Sequence, residues 1–165
     1  TYTDKIKIYR NHGLVSRDNV EIFGVNSRMD TINSQILKYR LTKLDSVIKR
    51  RRKNVEIYRK NLDIDSVKII EYKKNEYNSF VMFIVLAEDR DNLQVYLKES
   101  NIESLIYYSK PLHKHLAYQK SYTEPQDLTK SENLAKKVLA LPVHQHLNEN
   151  QILYVCEKIK EFYNL

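Results

Sequence analysis

Apolar residues recur at Ile32, Ile36, Leu37, Leu41, Leu44, Val47, Ile48, Val55, Tyr58 and Leu62. The steps of three, four and seven place them on one stripe of a helix. The spacing predicts one long helix, Thr31 to Leu62, with Asp30 as its N-cap. At 1.5 Å per residue it would span roughly 48 Å, more than a small domain's diameter. Its stripe should therefore pack against something beyond this chain's own core, and part of it should be exposed and sticky without that partner. Upstream, Asp4 to Arg10 reads as the middle of an amphipathic helix. Residues 11 to 29 are irregular and hold both glycines, Gly13 and Gly24, among Asn11, Asp18, Asn19 and Asn26. Turn formers at this density mark a loop. A loop of roughly 19 residues is long for a compact domain, and such loops tend to be functional or disordered.

Beyond residue 62 the periodicity changes. Val67 to Ile70 suits a short strand. Ser79 to Leu86 is nearly continuously apolar, which predicts a strand covered on both faces. Asp89 to Glu99 predicts a helix with Leu93, Tyr96 and Leu97 on one face, and Ile102 to Tyr108 another strand. Thr129 and Glu132 have capping-box spacing and should open a helix carrying Leu134, Val138 and Leu139. Leu141 to His144 reads as a short extended piece. Asn148 and Gln151 then start a last helix with Ile152, Val155, Cys156, Ile159 and Phe162 inward. This order predicts an α+β fold, helices layered on a small sheet.

Composition narrows the classes. A chain of 165 residues is by default one domain, and 42% hydrophobic residues exclude a disordered tail. Two glycines and three prolines are too few for the turns of an all-β barrel. The net charge of +7 fits nucleic acid, a membrane surface, a phosphorylated ligand or mere codon bias, and does not choose among them. The single cysteine, Cys156, cannot form an internal disulfide, which fits a reducing, cytoplasmic setting. No apolar run approaches the roughly 20 residues of a membrane span, and Thr1 to Arg10 has no secretory apolar block. The chain starts without Met in what reads as mid-helix, so truncation is expected.

Candidate chemistry is sparse. Lys49-Arg50-Arg51-Arg52-Lys53 could contact phosphates, but five consecutive residues spread around a helix rather than forming one flat patch. His113 and His115, like His144 and His146, would share a face on a strand, yet no carboxylate or cysteine stands at ligand spacing, and no metal is expected. Tyr107 and Tyr108 close a predicted strand, where polar-tipped aromatics either face a ligand or simply pack. No nucleophile elbow, phosphate-binding glycine loop or paired-carboxylate signature occurs.

Several strings sharpen the reading. Arg10-Asn11-His12-Gly13 is followed, after the loop, by Gly24-Val25-Asn26-Ser27-Arg28-Met29-Asp30 and the long helix. Then come Arg50-Arg51-Arg52 ahead of Tyr58 to Leu62, Tyr77-Asn78-Ser79-Phe80, and Arg90-Asp91-Asn92-Leu93 through Leu97. Ile106-Tyr107-Tyr108-Ser109-Lys110-Pro111-Leu112-His113 and Leu139-Ala140-Leu141-Pro142-Val143-His144 complete the order. Together they resemble the DegT/StrS group of sugar aminotransferases, pyridoxal-phosphate (PLP) enzymes of fold type I, along essentially the whole chain.

The resemblance implies a subunit of two domains in an obligate homodimer with shared active sites. Residues 1–30 would end the large domain with an active-site loop, residues 31–62 form the interdomain helix, and residues 63–165 form a C-terminal α+β small domain. PLP would be the cofactor. The Schiff-base lysine would lie ahead of Arg10, outside this chain, so the chain alone should be inactive. Asn26 would reach across the dimer to the cofactor phosphate. His12 and Arg28 would shape the partner's sugar site, while Tyr107, Tyr108 and His113 would line the subunit's own substrate pocket. Tyr107 and Ser109 depart from the His and Pro many relatives carry, which leaves the sugar open. The implied activity is conversion of a nucleotide-linked keto-sugar to an amino-sugar, in polysaccharide or amino-sugar biosynthesis, with glutamate as amino donor. Two other readings compete: a basic α+β module that binds nucleic acid, and a non-catalytic regulatory protein of the PLP fold. No exposed aromatic pair with a matching glycine-rich motif supports the first.

Overall fold

The computed structural model describes residues 1–73, 75–121 and 127–165. The chain forms two compact units, Thr1–Leu44 and Asp45–Leu165.

The first unit opens with α1 (Tyr2–Tyr9), capped by a reciprocal pair in which Thr1 accepts from the Asp4 amide. The segment expected to be irregular contains a small antiparallel hairpin, β1 (Leu14–Ser16) and β2 (Asn19–Val20). A bridge between Asn11 and Asn26 closes the loop that holds it. α2 (Thr31–Leu41) follows, and Asp30 occupies its N-cap position without accepting a hydrogen bond on its side chain. Ile32, Ile36, Leu37 and Leu41 are exposed along it, as the sticky-stripe expectation anticipated.

The helix expected from Thr31 to Leu62 is interrupted. α2 ends at Leu41 and α3 (Leu44–Asn61) begins after a turn at Thr42 and Lys43. The amides of Thr42 and Lys43 bond three residues back, to Tyr39 and Arg40. The Thr42 hydroxyl also donates to the Tyr39 carbonyl at 2.7 Å. Such back-bonding competes with the regular ladder, and periodicity alone does not register it.

The second unit is a three-stranded antiparallel sheet in the order β3 (Val67–Ile69), β4 (Phe83–Ala87), β5 (Val138–Leu141). It is packed by helices, in keeping with the α+β expectation. α3 contributes buried Val55, Ile57 and Tyr58; α4 (Arg90–Glu99) contributes Leu93 and Leu97; α7 (Glu149–Phe162) contributes Ile152, Val155, Cys156 and Ile159. Phe83, Val85 and Ala87 point into this core, whereas Ile84 and Leu86 on the other face are half-buried. The expected strand with two covered faces is therefore a one-sided strand, and it starts late. Asn78 explains the late start: its side chain accepts from the Phe80 amide at 2.8 Å, and its carbonyl accepts from Arg52 at 2.9 Å. Phe80 is turned to a positive φ of 47°. Residues 78–82 are thus a pinned irregular segment that bends at Val81 and Met82.

Two further expectations fail, each because a partner distant in sequence claims the backbone. Val138 and Leu139, predicted on a helix, form β5, because the β4 edge recruits them in register: Val138 opposite Leu86, Leu139 opposite Val85. α6 (Thr129–Lys137), the helix after the short α5 (Leu116–Ser121), stops just before. Ile102 to Tyr108 is not a strand; only Leu105 bridges to Ala140. The Ser104 carbonyl accepts instead from the Gln94 side chain, and Tyr108 sits at φ 60°. The start of α7 is as expected, a capping box between Asn148 and Gln151.

Buried polar groups lock α3 to the chain leaving β5. The Tyr58 hydroxyl donates to the Pro142 carbonyl at 2.9 Å, and Asn54 donates to the His144 carbonyl at 3.0 Å. Tyr58 also stacks on Phe83 with ring centroids 4.9 Å apart. Tyr58→Phe keeps the ring and leaves a part-buried carbonyl without its donor. It should lower unfolding free energy by about 1–3 kcal/mol, read as a lower urea midpoint at unchanged slope.

Candidate active-site segments

The first candidate cluster lies in the N-terminal unit, where two stretches of backbone cross at close range. Gly13 has φ +76°, and a Cβ there would lie 1.6 Å from the Ile22 carbonyl oxygen. A Cβ on Gly24 would lie 2.3 Å from the Gly13 nitrogen and 2.4 Å from the Tyr9 oxygen. Only glycine fits both places. The crossing is stitched by backbone bonds: Val25 N–H to Tyr9 at 2.8 Å, His12 N–H to Val25 at 3.1 Å, and Ser27 N–H to Arg10 at 3.0 Å. Arg10 adds a bond from its Nε to the Ser27 carbonyl at 2.9 Å.

Arg28 ties these strings together. Its Nη1 donates to the Arg10 carbonyl at 2.9 Å and to Asn26 Oδ1 at 3.0 Å, and its Nη2 donates to Asn11 Oδ1. The fold thus brings Asn26, Arg28 and the Arg10–Gly13 string together. Asn26 is exposed, and so is His12, which adopts φ 59°. Because Asn26 Oδ1 faces the guanidinium, its amide nitrogen, which carries two donors, is directed away from Arg28. That donor set suits a phosphate, which takes several converging N–H groups.

The second cluster lies in the C-terminal unit. The rings of Tyr107 and Tyr108 are 6.5 Å apart and tilted by 46°. Both border a pocket of about 310 Å³, closed on the other side by Ser131 and Leu134 of α6. His113, in a 3-10 turn over Leu112–Lys114, is turned toward α6. Its Nε2 lies 2.8 Å from Glu132 Oε1, and its side chain is 13% exposed. Lys114 Nζ reaches the same oxygen at 2.9 Å. The lining of that pocket includes His115 rather than His113. Tyr107 also borders a larger cleft of about 660 Å³ with Arg51 and His144.

Glu132 escaped notice in the sequence because its spacing from Thr129 suggested a capping box. The box does not form: Asp127 accepts from the Thr129 amide and hydroxyl, leaving Glu132 to the His113 turn. A carboxylate 19 residues downstream of a histidine carries no local signal. The basic run is partly engaged within the unit. Arg52 lies 4.6 Å over the Tyr77 ring, and Arg51 donates to Gln145.

The α+β fold matches that of fold-type I sugar aminotransferases over the C-terminal part of their length. The chain belongs to the DegT/DnrJ/EryC1/StrS aminotransferase family, whose pattern covers residues 1–160. Members of this family depend on PLP. It is 33% identical over 163 residues to a pleiotropic regulatory protein of Geobacillus stearothermophilus, covering 97% of this chain and 44% of that protein. It is 29% identical over 160 residues to the dTDP-3-amino-3,4,6-trideoxy-alpha-D-glucose transaminase of Streptomyces venezuelae, covering 96% and 42%. The crystal structure of S. venezuelae DesV in complex with a ketimine intermediate superposes with a TM-score of 0.86 at 27% identity, over 99% of this chain and 44% of that one. The chain thus spans less than half the length of the relatives it matches. Among the described residues, no helix is long and apolar enough to cross a membrane.

Two outcomes are expected. Gly13→Ala forces a left-handed residue against the Ile22 backbone. It should disorder the crossing at a cost of about 1–3 kcal/mol or more, seen as lost hydrogen-exchange protection at the Val25 and Ser27 amides. The Glu132 carboxyl is held below its ordinary value of 4.5, first by the His113 hydrogen bond and then by Lys114. Its contribution is complete above that ordinary value and fades as pH falls through the lowered one. NMR signals of residues 112–114 should therefore not respond to Glu132 at neutral pH and should shift only in acid below about 4.5, a step that Glu132→Gln removes.

Proposed function

We propose that this chain is the C-terminal part of a PLP-dependent aminotransferase that converts a nucleotide-linked keto-sugar to an amino-sugar, with glutamate as amino donor. The observation that carries the reading is the family match, which runs unbroken through both candidate clusters. Bound PLP supplies the electron sink for amino-group transfer. This chain's own residues bind and orient. Asn26 donates its amide N–H groups to the cofactor phosphate of the partner subunit in a homodimer with shared active sites. His12 borders the same stretch and helps shape the partner's sugar site. Tyr107 and Tyr108 offer two polar-tipped rings to the sugar nucleotide, and His113 braces the segment that follows them. The lysine that anchors the cofactor belongs to a segment ahead of Arg10 in the family pattern, so residues 1–165 alone should not turn over. A cytoplasmic enzyme fits Cys156, a buried free thiol whose pKa burial pushes up to about 11.

One observation favours a second reading, a non-catalytic regulator that keeps the PLP fold: the relative at 33% identity is named a pleiotropic regulatory protein. The two readings part on one assay. Purified full-length protein, yellow with PLP, should lose that colour on adding glutamate alone, because the amino group moves to the cofactor. A protein that keeps its colour with glutamate is the regulator. In the same full-length protein, Asn26→Ala should weaken PLP retention about tenfold, as expected for one lost charge-assisted hydrogen bond. Unchanged retention would remove the cross-subunit role of Asn26.

A further inference from the structure

We infer that Arg28 is a positioning residue, whose guanidinium fixes the orientation of the Asn26 amide rather than itself meeting sugar or cofactor. The inference rests on the proposed phosphate role of Asn26 and goes a step beyond it. An asparagine amide can present either its oxygen or its NH2 group, and the two ends have nearly the same shape. A phosphate oxygen accepts from the nitrogen and repels the oxygen. A freely rotating Asn26 would divide its time between the two. In this structure the choice is made from within the loop. Arg28 Nη1 donates to Asn26 Oδ1 at 3.0 Å, and an arginine nitrogen has no lone pair with which to accept from the NH2 end. The flipped amide would set donor against donor and is excluded.

The guanidinium is itself held. Nη1 also donates to the Arg10 carbonyl at 2.9 Å, and Nη2 donates to Asn11 Oδ1, so three acceptors on two strings fix the fork in one plane. The Asn11–Asn26 backbone bridge keeps the two asparagines side by side beneath it. Lysine cannot reproduce this, because one ammonium does not offer two nitrogens in a rigid plane. The same contacts bear on the expectation that Arg28 shapes a sugar site: three of its five donors are already committed inside the loop.

The test is a double-mutant cycle in the full-length dimer, read as the dissociation constant of PLP titrated into apoprotein and followed by absorbance. Arg28→Gln and Asn26→Ala should each weaken PLP about tenfold. The double variant should be no weaker than Asn26→Ala alone, because Arg28 acts only through that amide. Multiplying effects, roughly a hundredfold in the double variant, would mean that Arg28 reaches the phosphate directly and would overturn the inference. No effect of Arg28→Gln with Asn26→Ala still weak would overturn it as well. If Asn26→Ala itself leaves PLP affinity unchanged, the phosphate role fails first. Should Arg28→Gln unfold the loop, seen as lost hydrogen-exchange protection of the Val25 and Ser27 amides, Arg28→Lys is read instead. It retains charge near the Arg10 carbonyl and should still lose the tenfold; native affinity in Arg28→Lys would show that charge, and not the fork, is what matters.

Discussion

The crossing of the 9–13 and 22–28 strings is the constraint on which the rest of the N-terminal unit depends. Two backbones pass so closely that side chains are impossible at Gly13 and Gly24. That proximity lets their amides and carbonyls satisfy one another. It also sets Asn11 beside Asn26 and lays Arg28 across both. Without the crossing, Asn26 would be an ordinary loop amide. The arrangement is made from local backbone economy and one planar cation; α1 and α2 bury no residue within this unit.

The C-terminal unit is organised differently. Its sheet is narrow, and its helices are held by apolar burial with polar locks at the rim. Asn54 and Tyr58 on α3 bond the carbonyls of His144 and Pro142, so the chain leaving β5 is fixed where the large cleft begins. Burial raises the Tyr58 phenol far above its ordinary value, so this lock stays protonated and donating across the physiological range. On the opposite side, Glu132 gathers His113 and Lys114 and braces the segment that follows the two tyrosines.

What could be read from the sequence follows the range of the interaction involved. The α7 start was legible because Asn148 and Gln151 are three residues apart and bond each other. The Thr129 box has the same spacing and failed, because partners 19 and 18 residues back in the chain claim Glu132. β4 was legible as an apolar run, but its first residue was not, since Arg52, 26 residues upstream, pins the Asn78 carbonyl in the segment before it. β5 hid inside a helical pattern until a neighbouring edge recruited it. Among the candidate site residues, the strings around Gly13 and Asn26 marked two stretches that the fold brings side by side. The partnership of Asn26 with Arg28 could not be read from spacing, because it depends on a bridge closed between Asn11 and Asn26, over 14 intervening positions.

The hairpin carried by that loop has a freedom that its base lacks. β1 and β2 are short and largely exposed, and their turn falls at Arg17 and Asp18, away from the glycines and the guanidinium fork. Insertions or swaps at this tip leave every stitch of the crossing in place. Divergence among descendants of this sequence is therefore channelled outward, to the hairpin tip. The footing below it has almost no alphabet to draw on.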